Sequence, residues 1–82
     1  MRLLMTGPGY GHNIHPWLEY FQRNSQEHQL YFLCSEFRFD NDDFGALEIV
    51  EYGKRPTLPL TLGTLWRERF DVLYIHGAYG PL

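Results

Sequence analysis

The opening stretch, MRLLMTGPGYGHNIHPWLEYF, constrains the fold more than any other part of the chain. Arg2–Thr6 is a short apolar run ended by glycine, the pattern of a strand buried on both faces. Gly7-Pro8-Gly9-Tyr10-Gly11 has glycine at every second position, so it is expected to end the strand and form a loop. Pro16 then suits a first helical turn, where its missing N–H would have no partner anyway. Ile14, Trp17, Leu18 and Phe21 recur at i, i+3, i+4 and i+7, which puts them on one helical face packed against a sheet. Asn13 or His15 is the expected cap, and Glu19 favours the positive end of the helix dipole. The helical pattern is lost at Gln22-Arg23-Asn24-Ser25.

The remaining chain repeats the same grammar. Gln29–Ser35 (QLYFLCS) is dense in apolar and aromatic residues and is the second expected strand. Glu36–Phe44 is a polar connection. Its carboxylates Asp40, Asp42 and Asp43 do not have the spacing of a calcium loop, so a solvated acidic turn is expected and no metal site. Ala46–Tyr52 is the third strand, and Gly53–Pro59 is a loop. Leu60–Phe70 carries Leu62, Leu65, Trp66 and Phe70 at helical spacing, weakened by Gly63. Asp71–Ile75 is the fourth strand, followed by the turn-rich His76–Pro81.

Strands alternating with helices argue for an α/β, Rossmann-like parallel sheet with right-handed crossovers. The expected order is 3-2-1-4, with helices on both faces, in one partial domain over residues 1–82. Ligands of such sheets bind beyond the carboxyl ends of the strands, where the strand order reverses. That point lies between strands one and four, so the loops Gly7–Gly11 and His76–Gly80 are expected to meet at one crevice.

Composition narrows the partners. The 82-residue chain is 44% hydrophobic and 17% aromatic, with a net charge of −3 and no basic run. That balance gives no electrostatic footprint for nucleic acid. Cys34 is the only cysteine, so it has no partner for an intrachain disulfide or a thiolate zinc site. It is read as a small buried hydrophobe. No apolar segment is long enough for a membrane span or a signal peptide, and the cytoplasm is the expected compartment. A chain of this size buries only about 60% of the surface exposed by its unfolded form. Homo-oligomerisation through edge-strand groups, Trp66 or Phe70 therefore stays open.

The crevice loops carry the candidate chemistry. Glycine lets a backbone approach a ligand closely, and a helix N-terminus offers N–H groups and partial positive charge. The dinucleotide fingerprint requires glycine where His12 stands, and no acid marks the tip of the second strand unless Glu36 does so. No cofactor is expected. His12, His15 and His76 can donate to phosphate or take a proton from a hydroxyl. His15 has the competing reading of a helix cap. The candidate substrate-binding residues are Gly7, Gly9, Gly11, His12, His15 and Gly77, with His76 as the candidate catalytic residue.

MRLLMTGPGYGHNIHPWLEYF resembles the start of GT-B glycosyltransferases, particularly the large retaining family four, and FDVLYIHGAYGPL resembles their fourth-strand segment. The resemblance implies the acceptor-side, N-terminal domain of an enzyme that moves a sugar from a nucleotide-sugar donor to an acceptor hydroxyl. Gly7, Gly9 and Gly11 would then lie near the donor diphosphate. His76 would match the second histidine of the family's paired step, whereas Tyr74 stands where the first would be. The donor-binding half has no counterpart in these residues, so the chain is expected not to catalyse transfer alone. The alternative expectation is a small freestanding α/β module that binds a nucleotide or phosphate.

Overall fold

The computed structural model describes residues 1–54 and 57–75, which form a four-stranded, all-parallel sheet with a helix against each face. The elements in chain order are β1 (Arg2–Gly9), α1 (His15–Arg23), β2 (Gln29–Phe37), β3 (Glu48–Glu51), α2 (Thr57–Arg67) and β4 (Val72–Ile75). A 3-10 turn, Asn41–Phe44, stands between β2 and β3. The sheet order is β3-β2-β1-β4, the order expected from the sequence.

Successive strand residues point to opposite faces, and this divides the core in two. Leu3 and Met5 of β1 join Leu30, Phe32 and Cys34 of β2 under Ile14, Leu18 and Phe21, with Phe44 and Leu47 closing the margin. Leu4, Leu33 and Tyr52 form the other cluster, packed with Leu60 and Leu65 of α2 and with Phe70. Each fully buried side chain such as Leu4 or Phe32 contributes about 1.5–3 kcal/mol.

Arg2 ties the first strand to the entrance of the last. Its side chain donates to the Arg69 carbonyl (2.9 Å) and to Glu68 (3.0 Å), and its guanidinium lies 5.0 Å from the Phe70 ring centroid. Its backbone N–H donates to the Asp71 carboxylate, and its carbonyl accepts from the Asp71 N–H, both at 2.8 Å. β4 therefore starts in register with β1.

Several element boundaries differ from expectation for identifiable reasons. β1 continues through Gly7-Pro8-Gly9, which the sequence places in a loop. β2 runs alongside as far as Phe37 and keeps β1 extended, with a register shift between Gly7 and Gly9 that absorbs Pro8. A Cβ on Gly9 would overlap the Glu36 carbonyl, so the second glycine is required by the packing of two backbones. The segment after Ser35 is correspondingly strand, and then a turn that buries Phe44. Asp40 caps that turn by accepting from the Asp42 N–H (2.9 Å). β3 is shorter than the expected Ala46–Tyr52.

α2 starts at Thr57, three residues before the expected Leu60, because Pro59 falls within the first turn where proline is tolerated. It ends at Arg67, leaving Phe70 to pack from the following segment. α1 is capped by neither Asn13 nor His15. Ile14 holds the cap position without a side-chain hydrogen bond, and Glu19 lies beyond the first turn. Trp17 is not core: it is 44% exposed and stacks on Tyr74 of β4 at 5.4 Å. Trp66, at 92% exposure, is also outside the core.

Cys34 is fully buried, its Sγ 3.8 Å from the Val50 carbonyl. Burial, reinforced by the Glu51 charge, pushes its thiol from 9.0 up to about 12. The unfolded thiol ionises near 9.0 and the folded one near 12, so this group's contribution to stability is full below pH 9 and fades as pH rises towards 12. Cys34→Ala should flatten the alkaline fall in melting temperature, and native Cys34 should resist thiol reagents at pH 8 until denaturant is added. Gly9→Ala should cost about 1–3 kcal/mol in chemical denaturation, because the two strands must move apart.

Candidate functional site

All four strands are parallel, so their carboxyl ends share one edge of the sheet. At that edge β1 and β4 lie side by side with Thr6 paired to Ile75, which is the strand-order reversal expected from the sequence. Thr6 is buried, and its hydroxyl has no hydrogen-bond partner among the described residues. His76 and Gly77 lie outside the described residues.

The other sequence candidates separate into two groups. Gly7 and Gly9 belong to the β1–β2 ladder, opposite Cys34 and Phe37 respectively. Gly11 leaves the ladder with φ of +95° and nothing within 4 Å of an added Cβ. It is the one glycine of the trio with both a left-handed backbone and open surroundings. His12 is exposed beside it. His15, the first residue of α1, is turned towards structure instead. Its ring packs on Phe39 (4.9 Å) and Phe44 (5.7 Å), and its Nδ1 lies 2.6 Å from the Glu19 carboxylate. That carboxylate also accepts from Arg23 (2.9 Å).

The N-terminus of α1 offers fewer donors than a generic helix start. Pro16 has no N–H, and the Trp17 N–H bonds the Ile14 carbonyl at 3.1 Å. Contact with an anion here falls to backbone groups of residues 11–15 and to the exposed His12.

A second feature at the same edge escaped the sequence reading. A hollow of about 590 Å³ lies over the tips of β1, β2 and β3, lined by Tyr10, Glu36, Arg38, Glu51 and Lys54, among others. Arg38 fixes its near wall. Its N–H donates to the Gly9 carbonyl (2.8 Å), its guanidinium lies 4.4 Å from the Tyr10 ring centroid, and it donates to Glu36 (3.1 Å). The hydrogen bond that Arg38 donates to Glu36 and that residue's charge both raise the Arg38 pKa, so the guanidinium is permanently charged. On the far wall Glu51 accepts from the Phe37 N–H (3.2 Å), and Gly53 turns with φ of +61°. The signal is positional: Glu36 and Glu51 stand at the ends of β2 and β3, and Lys54 lies in the turn that follows β3, where parallel sheets present ligand-binding groups.

This surface combines carboxylates that can accept hydrogen bonds, cations that can donate them, and an aromatic ring. No group of His, Cys, Asp and Glu suited to a metal ion occurs among the described residues. No described helix is long and apolar enough to cross a membrane. Comparison with family models, curated proteins and solved structures finds no match to this chain.

The backbone at Gly11 gives a direct test of local strain. Gly11→Ala should destabilise the protein by about 1–2 kcal/mol although nothing crowds the new methyl group, because φ is left-handed. Gly45→Ala, equally uncrowded but with φ of −63°, should be neutral or slightly stabilising in the same denaturation series.

Proposed function

We propose that this chain forms the acceptor-side wall of a sugar-transfer cleft in a GT-B-type glycosyltransferase, and that by itself it binds but does not transfer. The observation that carries this reading is the mixed-charge hollow at the carboxyl edge, beside the open Gly11–His12 loop. Two carboxylates, two cations and a tyrosine suit a ligand rich in hydroxyl groups better than a flat aromatic or an apolar one. The resemblance at both ends of the chain points the same way.

In this reading Gly11 and His12 face the donor diphosphate, while Glu36 and Arg38 hold acceptor hydroxyls. Gly7 and Gly9 support the loop through the sheet. His76 is assigned the place beside the reacting sugar, where an imidazole can accept a hydroxyl proton or hold the substrate by hydrogen bonding. The nucleotide of the donor is assigned to a second domain. A sugar-transfer assay on the isolated chain should therefore show no turnover.

One observation favours a second reading, a freestanding nucleotide- or phosphate-binding module. Glu36 stands near the end of β2, where an acid holds a ribose in dinucleotide-binding folds. Titration by amide NMR separates the two. Simple glycosides and nucleotide sugars should shift the resonances of Gly11, His12, Glu36 and Lys54 at millimolar concentration, and Glu36→Gln should weaken that binding about tenfold. Shifts with free nucleotide but with no glycoside would favour the module. Silence with every ligand would sink both readings.

A further inference from the structure

α2 is seated with hydroxyl groups inward and apolar side chains outward. Thr61 and Thr64 are buried, while Leu60 and Leu65 pack on the cluster of Leu4, Leu33 and Tyr52. The buried hydroxyls are not orphaned: Thr64 donates to the Leu60 carbonyl at 2.7 Å, and Thr61 is partnered too. The other side of the helix carries Leu58, Leu62 and Trp66, exposed at 51%, 57% and 92%. Their spacing of four residues makes them one stripe along the helix, with Pro59 and Gly63 beside it. The Glu19–Arg23 ion pair interrupts the surface of α1. Nothing comparable interrupts this stripe, because the one charge in α2 is Arg67, its last residue.

The charges near α2 are sorted by sign. Exposed Lys54 precedes the helix, and exposed Arg67 and Arg69 end it. The carboxylate between those arginines, Glu68, is held by Arg2 at 3.0 Å. The acidic turn that holds Asp42 and Asp43 packs against α1, on the other face of the sheet. The chain is acidic overall, with a net charge of −3, yet its most apolar helix face is bordered by cations.

We propose that the outer face of α2 docks on an anionic lipid surface, with the helix lying in the plane of the interface. Leu58, Leu62 and Trp66 enter the headgroup boundary, and Arg67 and Arg69 meet the lipid phosphates. An apolar stripe with an indole at one end, bordered by cations and free of carboxylates, is the composition of a helix that lies on a membrane. Anionic lipid attracts each such cation, whereas the acidic turn faces away from the surface. A second copy of the chain suits the stripe less well. Two-fold pairing of antiparallel helices would bring the Arg67 end of each copy beside the Lys54 end of the other, cation against cation. The inference is independent of the sugar-binding reading, because Leu58, Leu62 and Trp66 do not line the polar hollow.

Flotation of the full chain with lipid vesicles tests the proposal. The protein should float with phosphatidylcholine vesicles that contain roughly one third phosphatidylglycerol, and not with phosphatidylcholine alone. Added salt should weaken the binding, since it screens the arginines. Trp17→Phe leaves Trp66 as the one tryptophan of the chain, and its emission should move to shorter wavelength on the anionic vesicles. Leu62→Glu should weaken binding at least tenfold, and Arg67→Gln about fivefold, with the far-ultraviolet circular dichroism unchanged in both. Arg23→Gln removes the same charge from α1 and should leave binding unchanged. Failure to float with anionic vesicles would overturn the proposal, as would equal flotation with neutral ones or full binding by Leu62→Glu. Self-association without lipid that Leu62→Glu abolishes would also overturn it, since the stripe would then belong to a second copy.

Discussion

The pairing of β1 with β2 is the contact on which the rest of the architecture depends. It is the longest ladder in the sheet, and both of its faces are covered. Gly9 allows the two backbones to close at their carboxyl ends, which carries β2 on to Phe37 and positions Arg38. Arg38 then reaches back to the Gly9 carbonyl and to the Tyr10 ring. The same close approach that extends the core thus builds the near wall of the polar hollow. A glycine that looked like part of a ligand loop acts one step earlier, by setting where the loop begins.

The carboxyl edge gathers polar groups from three connections, while the opposite demands of packing are met within the sheet. His15 illustrates the division. It lies close in sequence to the exposed His12, yet its ring is committed to Phe39 and Phe44 and its Nδ1 to Glu19. Helical geometry separates the two residues: one precedes α1 in an open turn and the other starts the helix over the aromatic margin of the core. A histidine that fixes α1 to the 3-10 turn helps hold the loop in which its neighbour is exposed.

Much of the architecture was legible because it rests on periodicity. Leu3, Leu4 and Met5 announced a strand buried on both faces, Ile14, Leu18 and Phe21 announced the inner face of α1, and the alternation of elements gave the strand order. Trp17 fits the same helical spacing, but its ring stacks on Tyr74 of the neighbouring strand and stays 44% exposed, and spacing alone does not report that. The end of β1 was misread because Gly-Pro-Gly carries loop chemistry locally, whereas pairing with β2 holds it extended. The polar hollow was harder still. Tyr10, Glu36, Arg38, Glu51 and Lys54 are scattered over three connections and share no motif, and only the parallel register brings them to one place. Position at a strand end is the one signal in the sequence, and it marks Glu36 and Glu51.

The central place of β1 has a temporal consequence. Its partners are β2, which begins at Gln29, and β4, which ends at Ile75, and Arg2 is clasped by residues 68–71. During synthesis the first strand therefore emerges long before its second neighbour exists. Until then one side of its backbone and the apolar residues beneath α2 remain open to solvent. Contacts that join the beginning of a chain to its far end are slow to form, because the intervening loop must be closed before they stabilise anything. β1 is thus made before the other three strands of this sheet yet is among the last to be completed, and the sheet stays unfinished until Ile75 has been added.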